Sequence, residues 1–160
     1  MTAPIQAEHF TNALYLMLDE AFDNVHGFFL DKGTSFFETL ATISAAEASV
    51  PIGGRCATLA AQVKHTAFYL DALEHNVRTQ QYIPQDWERI WRETSGVDEA
   101  EWEAIKDDLR TSYDRIKRLI ADTSTWPNEQ TIGGAIAAIV HTAYHLGEIR
   151  QALCILKTNQ

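Results

Sequence analysis

"HTAYHLGEIRQAL", His141 to Leu153, sets two histidines one helical turn apart in a stretch that otherwise reads as buried helix. Residues i and i+4 share a helical face with Cβ atoms about 5 to 6 Å apart, so both imidazoles can aim at one point. With six histidines in 160 residues, chance alone places such a pair in about one chain in five, and the spacing by itself is weak. Its context weighs more. No charged residue occurs from Gln130 to Gly147, and a buried imidazole must find a hydrogen-bond partner or shift its pKa. Two readings fit: a metal site, or a pair of satisfied core histidines.

The rest of the chain sets the frame for that pair. A length of 160 residues suits a single domain over 1–160 with a proper core. Hydrophobic content of 46% is too high for a disordered chain. The net charge of -9 without a Lys/Arg cluster argues against nucleic acid, whose backbone needs a basic surface. "MTAPIQAEHF" has no basic region followed by an apolar one, so no secretory signal is expected. The uncharged run before Glu148 approaches spanning length, but three glycines and two histidines argue against a membrane helix. Cys56 and Cys154 form no CxxC and lie far apart, which suits reduced thiols in a cytoplasmic protein and gives no zinc-thiolate site.

Apolar spacing predicts helices and no strand. Leu14, Met17, Leu18, Ala21, Val25 and Phe28 recur at steps of three and four, predicting a first helix from about Ile5 to Leu30 that Gly33 ends. Ser35 with Glu38 reads as a capping box opening a short helix through "FFETLATI", and "SVPIGG" reads as loop, so the first and second long helices are joined by a long crossover. A second long helix runs from about Arg55 to Gln81, closed by Pro84, with Leu59, Val63, Thr66, Leu70 and Leu73 on its buried side. "PQDWERIWRETSG" sets Trp87 and Trp91 one turn apart. Asp98 with Glu101 opens a third helix whose buried face is Trp102, Ile105, Leu109, Tyr113, Ile116 and Ile120. The fourth runs from about Ile132 to Leu156, apolar nearly all round, and such a helix needs cover on every face, here from a second subunit. Four long helices joined by loops predict an all-α, up-and-down four-helix bundle.

A catalytic zinc-type site commonly has three protein ligands, so two histidines ask for a third. At about 1.5 Å per residue, His65 in the second helix and His141 and His145 in the fourth all fall near mid-bundle. The bland reading of His65 is a core imidazole bonded to Gln62 or a backbone carbonyl. His9, His26 and His75 read as solvated or boundary residues. Gly134 and Ala138 either clear space on the ligand face or allow close helix packing. Glu148 points to the same side, where it can orient an imidazole, bind metal or move a proton, or stand as a half-exposed carboxylate. Tyr69, Tyr144, Trp87 and Trp91 either line the mouth of a site or simply pack. No histidine has a glutamate three residues before it, as di-iron carboxylate bundles require, and Thr142 stands where the zincin pattern has glutamate.

With His65 in the second helix and "HTAYHLGEIRQAL" in the fourth, the chain resembles, over nearly its whole length, the DinB-like (YfiT-like) family of metal-binding four-helix bundles. In that family one histidine of the second helix and an HxxxH pair of the fourth bind a divalent metal in a bundle that often dimerises, and His65, His141 and His145 occupy those positions. "HLGEI" keeps Gly147 and Ile149 of the family's His-x-Gly-Gln-Ile but has Glu148 for glutamine. The resemblance implies a divalent zinc, nickel or iron ion on those three histidines. It also implies thiol S-transferase or related thiol-dependent chemistry. The residues themselves suggest how: a low-molecular-weight thiol or water coordinated to the metal attacks a small electrophile, with Glu148, where the sequence departs from the family, as the proton carrier. The other function expected is a non-catalytic stress or sensor module that binds metal or a small ligand and acts through its homodimer.

Overall fold

The computed structural model describes residues 4–54 and 56–158, and among them every regular element is helical. In chain order these are α1 (Ala7–Phe22), α2 (Phe36–Leu40), α3 (Ala45–Ala48), a 3-10 turn (Ile52–Gly54), α4 (Leu59–Thr79), α5 (Trp87–Glu93), α6 (Glu99–Ala121) and α7 (Glu129–Thr158). None of the helices among the described residues is long and apolar enough to cross a membrane. Cys56 and Cys154 are exposed thiols rather than a disulfide.

Caps decide where the helices begin. Asp98 Oδ1 accepts from the Glu101 N–H at 2.8 Å while the Glu101 carboxylate accepts from the Asp98 N–H at 2.9 Å, the expected box at the head of α6. The Ser35–Glu38 pair opens α2. A third box, Ser44 with Glu47, starts α3 just beyond the single short helix expected through Ile43. Thr58 Oγ1 accepts from the Ala61 N–H at 3.2 Å, so α4 begins at Leu59 rather than near Arg55, which lies outside the described residues. Asn128 Oδ1 accepts from the Thr131 N–H at 2.9 Å, which starts α7 three residues ahead of Ile132. Each such cap satisfies a backbone donor that the helix itself leaves unpaired.

Two helix ends differ from expectation for reasons the apolar spacing does not carry. Helix α1 stops at Phe22, not Leu30, because the chain folds back over Glu20. That carboxylate is fully buried and accepts from the backbone N–H groups of His26, Phe28, Phe29 and Leu30 at 2.7 to 3.2 Å. Gly27, at φ 84°, supplies the left-handed residue of this turn. Phe28, expected on the buried stripe, is consequently 63% exposed. Helix α4 ends at Thr79 because Gln80 takes a left-handed conformation, φ 56°, with its N–H on Asn76 O. Pro84 lies beyond the stop and does not cause it.

The directions of the long helices follow from their pairings. Thr11 bonds Thr123 while Asp19 bonds Tyr113 and Lys117, so α1 and α6 are antiparallel. Gln62 meets His145, His65 meets His141 and Leu73 meets Gly134, so α4 and α7 are antiparallel. Between α4 and α6 the numbers rise together: Lys64 shares a groove with Ile105 and Asp108, Arg115 bonds Asp71 and Glu74, and Val77 shares a cavity with Ile120 and Thr123. Those two helices are parallel. Strict up-and-down alternation therefore fails between the second and third long helices. Residues 80–98 must return along the 23-residue α6, about 35 Å at the α-helical rise, and α5 lies in that return.

The core gathers where α1, α4, α6 and α7 meet. Trp102, Tyr113, Phe22 and Phe36 are fully buried, with Phe22 stacked on both Phe36 and Tyr113 at 5.6 and 4.5 Å between centroids. The Trp102 indole N–H donates to Ile43 O at 2.9 Å, so this large ring is buried without an unsatisfied donor. Gly134 belongs to close packing and clears no ligand space: a Cβ there would lie 3.3 Å from Leu73 Cδ1. Ala138 is fully buried in the core.

A charged group ties α1 to α6 inside this core. Asp19 is 7% exposed and accepts from Lys117 Nζ, Tyr113 Oη, His26 Nε2 and Asn24 Nδ2 at 2.8 to 3.2 Å. Burial alone would raise its pKa, but the bonds from Lys117, His26 and Asn24 outweigh that and lower it to about 2. A folded-state value below the unfolded one gives stability that is present above pH 3.8 and lost as the pH falls towards about 2. The full contribution is about 2 kcal/mol. Asp19→Asn is therefore expected to lose about that much at pH 7 and to flatten the fall in stability below about pH 4, read by urea unfolding at several pH values. An unchanged midpoint and acid slope would contradict this role.

Candidate metal centre

His65 lies near the start of α4, and His141 and His145 lie one turn apart in the middle of α7. The antiparallel contact brings them level. Ring centroids are 5.2 Å apart for His65–His141, 4.9 Å for His65–His145 and 4.5 Å for His141–His145. One nitrogen of each ring lies within 4.8 Å of those of the other two. His65 and His145 are buried and His141 half-buried.

Burial also sets their protonation. Desolvation, with repulsion from the neighbouring imidazoles, lowers His65 to about 4 and His141 to about 3. Desolvation lowers His145 as well, against the opposing pull of the Glu148 carboxylate. All three are neutral at pH 7, and a neutral imidazole has a lone pair to give.

His65 Nδ1 and His141 Nε2 are buried with no hydrogen-bond partner. Buried polar atoms in folded proteins are nearly always satisfied, so two orphaned imidazole nitrogens in a cluster of three such rings call for a ligand. His145 differs. Its Nδ1 lies 2.6 Å from Gln62 Oε1 and 3.0 Å from Glu148 Oε2. A carboxylate only accepts, so Nδ1 carries the proton and Nε2 the lone pair. The donor set therefore fits a divalent ion: three neutral imidazoles, one held in its tautomer by two neighbouring acceptors.

Aromatic rings close the site. Tyr69 stacks on His141 at 3.6 Å, Trp91 lies 4.5 Å from His65 with Trp87 at 5.9 Å, and Tyr144 meets His145 edge-on at 5.0 Å. Trp87 and Trp91 are delivered by α5, the return segment that the parallel α4/α6 pairing requires. Glu148 is 37% exposed in its side chain, and its carboxylate charge beside Tyr144 pushes that phenol up.

The four sequence-derived site residues, His65, His141, His145 and Glu148, thus stand together. The other histidines stand apart: His9 and His75 are exposed, and His26 bonds Asp19. Gln62 was expected, on the bland reading, to satisfy His65. It bonds His145 instead and leaves His65 Nδ1 open. Its place three residues before His65, on the same face of α4, signals nearness to the site, but the choice between two imidazoles follows from the α4/α7 register alone.

The tautomer of His145 can be checked directly. Nitrogen-15 NMR of the metal-free protein is expected to show His145 as the Nδ1–H tautomer, and Gln62→Leu combined with Glu148→Leu to shift it towards Nε2–H; an Nε2–H ring in the wild type would overturn the assignment. No known family model, curated protein or solved structure matches the chain.

Proposed function

We propose that the chain is a divalent-metal-binding protein of the DinB-like four-helix-bundle kind, working as a metal-dependent thiol S-transferase or hydrolase on a small electrophile. The observation that carries this reading is the convergence of three neutral imidazoles, two with orphaned nitrogens, in one aromatic-walled space. Four long helices, with α1 and α4 each packed against both α6 and α7, support the bundle assignment.

A zinc, nickel or iron ion held there would supply Lewis acidity, lowering the pKa of a low-molecular-weight thiol or a water brought to it. His65, His141 and His145 would hold it. Gln62 and Glu148 orient His145 through its Nδ1–H. Tyr69 and Trp91 keep bulk water from the imidazoles. Glu148 Oε2 is the atom placed to take a proton, because it joins the His145 hydrogen bond to a carboxylate that solvent reaches. Elemental analysis of purified protein is expected to find about one divalent metal per chain, lost in His65→Ala, His141→Ala and His145→Ala. Metal-dependent conjugation of a generic electrophile by one of several thiols would support the enzyme. Metal retention in all three variants would refute the triad.

A second reading, a sensor that binds metal or ligand and acts through its dimer, is favoured by one observation. The outer face of α7 exposes Ile136, Val140, Tyr144 and Ile155 at 42 to 60%, and no charged residue occurs on that helix from Gln130 to Gly147. In a chain of net charge -9 this is where a second copy meets the least repulsion. Sedimentation at micromolar concentration is expected to show a species of twice 18.0 kDa, and a lone 18.0 kDa species would remove the dimer.

A further inference from the structure

Beside the histidines, but outside their ring, the beginning of α4 and the second half of α7 enclose a groove of about 410 Å³. Ile52, Leu59, Ala152 and Ile155 give it an apolar lining. Gln62, Glu148 and Gln151 supply polar groups, and the first two bond the same atom, His145 Nδ1, which brings them together. A cavity of that size lies within the range of about 300 to 1,000 Å³ that takes a small ligand.

Charge narrows the ligand. Among the described lining residues Glu148 is the one charged group, and no lysine or arginine pairs with it there. A carboxylate beside an apolar wall, with no cation among the described residues facing it, repels anions and attracts an ammonium group.

Gly147 gives an independent reason to regard the groove as a site. It is exposed in the interior of α7, where glycine is destabilising relative to alanine. No packing requires it, since a Cβ at 147 would meet nothing within 4 Å. Gly147 lines the groove, and what its missing side chain preserves is the open space beside Glu148.

We infer that this groove binds a small organic cation, an alkylammonium ion whose apolar body lies along Ile52, Leu59, Ala152 and Ile155 and whose nitrogen pairs with the Glu148 carboxylate. The site goes beyond the metal reading and does not require an ion on the imidazoles.

Isothermal titration of the full chain, metal-free and zinc-loaded, with hexylammonium, hexanol and hexanoate tests it. Hexylammonium is expected to bind about ten-fold more tightly than hexanoate, with hexanol between them. Glu148→Gln should bring the three within about two-fold of one another. Gly147→Leu should abolish binding of all three while leaving the melting temperature equal or higher, because leucine is the better helix former and its side chain fills the groove. Equal affinities in the wild type, no binding at all, or full binding in folded Gly147→Leu would overturn the proposal. Binding in a protein that takes up no zinc would leave the groove standing and remove the metal site, whereas zinc uptake without ammonium binding would remove the groove alone.

Discussion

The site depends on one register, the antiparallel contact of α4 with α7. Leu73 against Gly134 holds one end of that contact, and the Gln62–His145 hydrogen bond holds the other. A slip of a single turn, about 5.4 Å, would carry His65 past its partners and drive the backbone at Gly134 away from the pocket it fits. Gly134, which costs helix stability in isolation, therefore contributes to the site at a distance, by letting two helices approach closely enough to fix which residues face each other.

A second constraint is topological. Because α4 and α6 run in the same direction, their connection cannot be a tight turn. It must travel back along the bundle, and in doing so it lays α5 over the histidine end of α4. The aromatic wall at His65 is thus a consequence of helix direction as much as of local sequence. Arg115 secures the parallel pair by bonding Asp71 and Glu74 on α4. Asp19 secures the opposite side of α6 through Lys117 and Tyr113. Charged pairs here, buried at Asp19 and half-exposed at Arg115, join α6 to both its neighbours.

Helix type and the candidate histidines were readable from the sequence because both are local patterns. Trp102 to Ile120 repeat at steps of three and four, and all six apolar residues of that stripe are buried. His141 and His145 face one way because helical geometry demands it. What could not be read was set by long-range partners. The end of α1 depends on Glu20 binding backbone that comes six to ten residues later, which apolar periodicity does not encode. The parallel α4/α6 pairing depends on ion pairs separated by more than forty positions. Gly134 and Ala138 were read as either cleared space or close packing, and only the neighbour opposite, Leu73, distinguishes the two. Gln62, offered with a backbone carbonyl as the partner of His65, bonds His145 instead for the same reason.

Glu148 joins the two proposed sites. An ionised carboxylate offers about four acceptor positions, and His145 Nδ1 uses one of them. The remainder is available to the groove. As acceptor from Nδ1–H, the carboxylate raises the electron density of the His145 ring and makes its Nε2 the better donor. An ammonium ion on the groove side would draw charge from the same carboxylate and weaken that effect. Cation in the groove and metal on the imidazoles would then oppose each other, and linkage makes the opposition reciprocal: whatever factor the first ligand takes from the second, the second takes from the first. Glutamine at 148 could orient His145 through its carbonyl oxygen but could not transmit charge. With both proposed sites in use, a glutamate at this position would do more than hold the ring: it would make the ring's donor strength depend on what lies beside it.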